Sequence, residues 1–337
     1  MNLVQLAVSN GGKLSPLLIK EGLNKGTGLM NPSIFIDDDG DILVNLRHVN
    51  YSMYHAEKNM KFPSAWGPLA YLHPEKDQTL RTYNYLCKLD KDLKITHYTL
   101  VDTKSHDVPP LWEFHGLEDA RIVKWNNILY LIGVRRDTDE IGTGRMEYSQ
   151  ISLNKKKWTA KEVSRVRIPA PGANDSYCEK NWYPIIDKPF HFVKWTSPSE
   201  IVKAEPHNPA ICEVVSINEE APKVNVDLRG GSQLIPWGKY YINITHEAAL
   251  WYNYLNQKNG QYRHRLCVWN EHYDLIGISP EPFSFLDAAI EFCTGAAQLE
   301  EDLLLTFGFS DSTAFVLKVP KIVVDNMIGD AIENANN

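Results

Sequence analysis

Polar residues cluster at the two ends of short apolar strands, where a core has no use for them. At strand starts stand Asn31, Glu118, Asp119, Lys180, Asn181, Arg229 and Glu291. At the far ends of the partner strands stand Arg47, Arg135, Arg136, His246 and Asp311. Carboxylates gathered with several cations suit an enzyme that protonates a leaving group and also holds an anion. Glu118-Asp119 is the sharpest local signal, because the pair opens directly into the apolar run Ile122-Val123. Adjacent strand residues point to opposite faces, so one of the two faces a substrate and the other braces a neighbour, unless a bulge intervenes. Lys180-Asn181 before Trp182, and Arg145 within Gly142-Thr143-Gly144-Arg145, also read as plain loop and hairpin residues.

Convergence of these residues needs a repeated element. Five segments share one plan: Asn31 to Phe35, Gly116 to Val123, Glu179 to Ile185, Arg229 to Ile235 and Ile290 to Ala297. Each runs into a turn, such as Asp37-Asp38-Asp39-Gly40 or Trp125-Asn126-Asn127, and then a second apolar strand. A second hairpin follows in the first four units, at Tyr85 to Leu93, Ser149 to Lys155, Ile211 to Asn218 and Leu266 to Asn270; the fifth shows only Phe315 to Val319. Two hairpins per unit make a four-stranded antiparallel blade. Five units predict an all-β, five-bladed β-propeller whose innermost strands start around one axis. The competing arrangement is a β-sandwich of hairpins. A single catalytic domain over 1–324 is expected, followed by a polar tail over 325–337 that reads either as a short helix or as a frayed end. The long stretch from 51 to 82, with His55, Trp66 and His73, reads either as a site-shaping loop or as a plain connection.

Composition narrows the class. The 337 residues carry a formal net charge of -7, which disfavours a general nucleic-acid binder. Five cysteines, odd in number and without a C-x-x-C pair, argue against a zinc site or disulfide framework and for a reducing cytoplasm. The N-terminus has no basic region followed by a long apolar run, and no run is long enough to span a bilayer. Phosphate-loop, dinucleotide and H-E-x-x-H patterns are missing, and the histidines lack metal-ligand spacing, so no metal and no cofactor are expected. Nine Trp and sixteen Tyr serve propeller packing, and flat rings also pack on sugars.

The order of these motifs resembles glycoside hydrolase family 130, the inverting β-mannoside phosphorylases and hydrolases on a five-bladed propeller. The resemblance runs from about Asn31 to Asp311. Gly116-Leu117-Glu118-Asp119-Ala120-Arg121 is similar to the family's G-x-E-D-P-R element, with Ala120 in place of proline. Lys180-Asn181-Trp182-Tyr183-Pro184, Gly230-Gly231-Ser232 with His246, Phe292 to Gly295 and Phe307 to Asp311 resemble its later elements. The resemblance implies Asp119 as general acid and Arg145, Lys180 and His246 as holders of inorganic phosphate, the co-substrate. Arg136 joins that set as an additional cation. Asn31, Arg47 and Asp311 would contact the sugar, with Glu118, Asn181 and Glu291 alongside. Transfer of a mannosyl group would proceed by a single inverting displacement. The extra arginines in Gly133 to Asp137 leave open a glycosyltransferase with a nucleotide-activated sugar donor. A non-catalytic carbohydrate-binding propeller is the reading from another class.

Overall fold

A computed structural model describes residues 1–23, 27–55, 69–72, 79–172, 176–207, 209–252, 254 and 258–335. Five four-stranded blades surround one axis, as the repeated hairpins predict. Gly28–Ile36, Ile42–Val49, Leu80–Leu89 and Ile95–Asp102 make the first blade. Glu118–Trp125, Ile128–Arg135, Arg145–Asn154 and Thr159–Arg167 make the second. Tyr183–Pro184, His191–Trp195, Ser199–Ala204 and Cys212–Asn218 make the third. In the fourth, Ile235–Trp237 and Leu228–Arg229 both pair with Tyr240–Tyr252, followed by Lys258–Trp269 and Leu275–Ile278. The fifth holds Glu291–Leu299, Asp302–Phe309 and Thr313–Val319. The outer strands of the first two blades also pair in parallel, Ala160 with Val101 and Lys161 with Asp102.

The strand that the fifth unit lacks in sequence comes from the other end of the chain. Lys13–Pro16 pairs antiparallel with Thr313–Val319, Lys13 opposite Lys318 and Pro16 opposite Phe315. This splice ties the N-terminal segment to the last blade and closes the ring. Of the two forms expected for the polar tail the helix is the one found, Lys321–Ala335, and it begins ahead of the predicted boundary at 324. It buries Val323, Val324, Met327, Ile328 and Ala331 against the fourth and fifth blades. Each of the larger side chains contributes roughly 1.5–3 kcal/mol by leaving water, which favours docking of the helix on the propeller. Trp237 fastens it further by donating its indole N–H to Asp325 at 2.9 Å.

Several of the polar strand starts hold the axis together. Ser33 Oγ donates to Ala120 O and accepts from Ile122 N, both at 2.8 Å. The Gln233 amide donates to Ile34 O and Ile122 O and accepts from Ala296 N, all at 3.0 Å. One side chain thereby joins four blades through backbone groups that would otherwise be buried unpaired. Close approach at the axis also needs glycine: a Cβ on Gly231 would lie 2.1 Å from Ile244 O. Within the 51–82 stretch, Ser52–His55 and Leu69–Leu72 form an antiparallel pair. Positions 56–68 and 73–78, with Trp66 and His73, lie outside the described residues. Among the described residues no helix is long and apolar enough to cross a membrane.

Candidate active site

Asn31 lies at the register shift within Gly28–Ile36, Asp119 is the second residue of Glu118–Trp125, and Asn181 comes just before Tyr183–Pro184. All three have left-handed backbones, with φ of 44°, 48° and 61°. Asn and Asp tolerate this region better than other residues with a Cβ. At Asp119 the turn coincides with a bulge. Glu118 pairs with Val134 and Arg121 with Ile132, so Asp119 and Ala120 share the single partner position of Gly133. A Cβ on Gly133 would meet Glu118 O at 2.3 Å and Ala120 Cα at 3.0 Å, so the bulge requires glycine opposite it. The bulge cancels strand alternation, and both carboxylates reach the same arginine. Arg47 Nη1 donates to Asp119 Oδ1 at 2.7 Å, and its Nη2 lies 3.6 Å from Glu118 Oε2.

Arg47 is buried and fully engaged. Its Nε donates to Thr82 Oγ1 at 3.0 Å and its Nη2 to Tyr51 OH at 3.1 Å. Asn31 Nδ2 donates to the same Asp119 oxygen at 2.7 Å. Arg121 supports the bulge from below, donating to Asp119 O at 2.6 Å and twice to Gly231 O at 3.1 and 2.9 Å. Asp311 enters from the end of the fifth blade, on a left-handed backbone of φ 45°. Lys180, exposed at the start of the third blade, acts electrostatically on Glu118, Asp119 and Asp311.

Three carboxylates share this space, and their environments push them apart. Burial raises Asp119, but Arg47, Arg121, the Asn31 hydrogen bond and Lys180 outweigh it and hold the group below the usual carboxylate range. Burial raises Asp311 to about 6, and the charges of Asp119 and Glu118 add to that against Arg47 and Lys180. Burial also raises Glu118, and with the charge of Asp119 it outweighs the opposing pull of Arg47, 3.6 Å away. Such divergence of neighbouring acids is what a site handling protons needs. Glu118 Oε1, Asn31 Oδ1 and Asn181 Oδ1 are buried acceptors without a hydrogen-bond partner among the described residues. They can receive hydroxyl donors, as a sugar offers.

The predicted anion set divides. Lys180 joins the cluster. Arg136 packs between the rings of Phe114 and Tyr177, each 5.5 Å from its guanidinium carbon, and its charge reaches Glu118. Arg145 donates to Gly144 O at 2.8 Å and Ser176 O at 2.7 Å. A bridge between Gly144 and Cys178 sets it beside the segment that leads to Lys180. His246 does not serve as a cation: it is 2% exposed, and burial, with the charges of Arg229 and Arg121, puts its pKa well below 6.5. Its Nδ1 donates to Gly230 O at 3.0 Å, which leaves Nε2 as an acceptor. The Tyr262 and Phe292 rings lie 4.9 and 4.6 Å from it.

Glu291 does not face the sugar position expected of it. Its fully buried carboxylate accepts from the backbone N–H groups of Phe285, Leu286 and Ala288 at 2.7, 2.7 and 3.0 Å. It organises the 285–288 loop and, at 0% exposure, offers no surface to a substrate. Arg135 also leaves the site, bound to Glu147 at 2.7 Å and Asp137 at 3.5 Å. It lines a cavity of about 570 Å³ between the first two blades, where Arg165 is likewise neutralised by Glu162 and Asp107. Arg229 pairs with Asp227 at 2.6 Å. Tyr51, Thr82, Arg121 and Tyr262 belong to the site without having been singled out in sequence; only Arg121 carried a signal, as the last residue of the Glu118-Asp119 element. Among the described residues no group of His, Cys, Asp and Glu could hold a metal.

No protein-family model matches the chain, and no curated protein matches it either. Solved structures do, and they share the propeller. A β-1,2-mannobiose phosphorylase from Listeria innocua, in complex with β-1,2-mannobiose, aligns with a TM-score of 0.53 at 13% identity, covering 94% of this chain and 96% of that one. A glycosyl hydrolase from Bacteroides ovatus aligns with a TM-score of 0.56 at 11% identity, covering 87% and 84%. A mannose phosphorylase from Leishmania mexicana, solved with a phosphate ion, aligns with a TM-score of 0.50 at 13% identity, covering 94% and 92%. The fold is therefore the one expected from the resemblance to glycoside hydrolase family 130.

Proposed function

We propose that this protein is a carbohydrate-active enzyme that transfers a mannosyl group with inversion, as a β-mannoside phosphorylase. The carrying observation is the contact of Asn31, Arg47, Glu118 and Asp119 at one mouth of the propeller, with Asp311 and Lys180 alongside. Mannoside phosphorylases on the same fold support the choice of substrate class.

In phosphorolysis a phosphate oxygen attacks the anomeric carbon while the bond to the leaving oxygen breaks. That oxygen takes a proton that comes from Asp119, relayed through a sugar hydroxyl. One displacement turns a β-mannoside into α-mannose 1-phosphate. Asp119 is held ionised in the free protein, so it stands ready as the base of the synthetic direction, where the acceptor hydroxyl gives up its proton. Phosphorolysis requires Asp119 to take up a proton first. A sugar occupying Asn31 and Arg47 would weaken the two contacts that keep it charged. Lys180 and Arg136 would neutralise the phosphate and aim it. Neutral His246 can only accept through Nε2, which suits the hydroxyl of monohydrogen phosphate.

Incubation with β-mannosides and inorganic phosphate should give mannose 1-phosphate, and omission of phosphate should stop turnover. Consumption of a nucleotide-activated mannose alone would overturn phosphorolysis and leave the transferase. Release of free mannose without phosphate would make it a hydrolase.

A further inference from the structure

The longest hairpin among the described residues leads outward from the site. Tyr240–Tyr252 and Lys258–Trp269 pair over their whole length, with His246 opposite His264, Ala248 opposite Tyr262, Leu250 opposite Gly260 and Tyr252 opposite Lys258. Antiparallel partners share a face, and alternate residues along a strand share it too. The face that carries His246 therefore continues through Tyr262, Ala248, Leu250 and Tyr252.

Its inner end belongs to the catalytic cluster. Tyr262 packs on His246 and lies within electrostatic reach of Asp311 and Asp119, which help burial push its hydroxyl up to about 12. Its outer end is open: Leu250 is 40% exposed and Tyr252 67%. Six residues separate His246 from Tyr252, about 20 Å along a strand. Ala248 and Gly260 keep the middle of the strip low between the two tyrosines.

We propose that this strip is a distal acceptor subsite, which makes the acceptor an oligosaccharide rather than a single sugar. The inference rests on the mannosyl-transfer reading. Flat rings with a polar edge pack on the apolar C–H face of a pyranose while leaving its hydroxyls in water. A sugar chain whose end lies at Asp119 and Tyr262 would run over Ala248 and seat a later ring on Leu250 and Tyr252. The strip is continuous with the cluster on one strand face, which favours an elongated substrate over a partner protein that would have to cap the mouth.

The test is binding and turnover against chain length. Calorimetry with β-manno-oligosaccharides of one to five units should show affinity rising with length in the natural protein. Tyr252→Ala should remove that rise, weakening long chains about fivefold to tenfold and leaving mannose and the disaccharide unchanged. Trp251→Ala, on the opposite face, should change neither. Equal affinity for all lengths, or an equal loss at every length in Tyr252→Ala, would overturn the subsite. So would sedimentation showing that Tyr252→Ala only converts a dimer to monomers. If chain-length-dependent binding is lost in Tyr252→Ala but no sugar is turned over with phosphate, the strip stands and the reaction assignment fails. If short mannosides are phosphorolysed with no length dependence, the reaction stands and the strip fails.

Discussion

Replacing Asp311 by Asn should stabilise the protein while damaging the site. The carboxyl is raised from 3.8 to about 6, chiefly by burial and then by Asp119 and Glu118. A shift of about two units, at about 1.4 kcal/mol each, comes to about 3 kcal/mol at full expression. The side chain keeps some contact with solvent, so about 2 kcal/mol is the expected gain. The sign follows from proton counts. Between pH 3.8 and about 6 the folded protein binds more protons at this position than the unfolded chain does, so its stability falls as pH rises. Above that window the native protein bears the full cost, and Asp311→Asn, which cannot ionise, does not. Urea unfolding at pH 8 should show the variant about 2 kcal/mol more stable, and at about pH 4 the two should converge. A difference that is independent of pH, or a variant less stable at pH 8, would mean that ionised Asp311 carries no such cost.

Four further outcomes follow from the same geometry. Asp119→Asn should lower kcat by roughly 10²–10⁴ with unchanged circular dichroism, and full retained activity would remove Asp119 from its role. Arg47→Met leaves Asp119, Glu118 and Asp311 without their central cation, and should cost about 3–5 kcal/mol in denaturant unfolding at neutral pH. That loss should shrink on acidification, as Glu118 and Asp311 take up protons. Gly133→Ala should lower kcat, because the new Cβ meets Glu118 O and Ala120 Cα and shifts the bulge that aims both carboxylates; activity assays on the folded variant check it. His246→Gln should leave the pH dependence of the phosphate KM between about pH 6 and 8 unchanged, because His246 stays neutral throughout that range.

The hairpins were legible because β-branched and aromatic runs meet acidic, Asn or Gly turns, as at Ile34 to Leu46. The closing strand Lys13–Pro16 was not, since four residues carry no pattern and their partner lies about three hundred positions away. The C-terminal helix had a readable stripe at Val323, Val324, Met327, Ile328 and Ala331, which the surrounding Asp, Asn and Glu residues masked. Strand alternation would place Glu118 and Asp119 on opposite faces. The left-handed turn at Asp119 and the bulge against Gly133 undo that, and only the second of these leaves a residue to notice. Glu291 stood at the right place in its unit for a sugar contact. Three backbone N–H groups of the preceding loop claim it, and no side-chain pattern announces them. Ser33, Gln233 and Thr294 show the same lesson at the axis, where polar side chains replace missing backbone partners between blades.

The central claim is inverting transfer of a mannosyl group to phosphate. Proton and phosphorus NMR of the reaction of a β-mannoside with inorganic phosphate tests it most directly. The expected first product is α-mannose 1-phosphate, formed in step with the freed acceptor. The β anomer as first product, or free mannose with phosphate unconsumed, would contradict it.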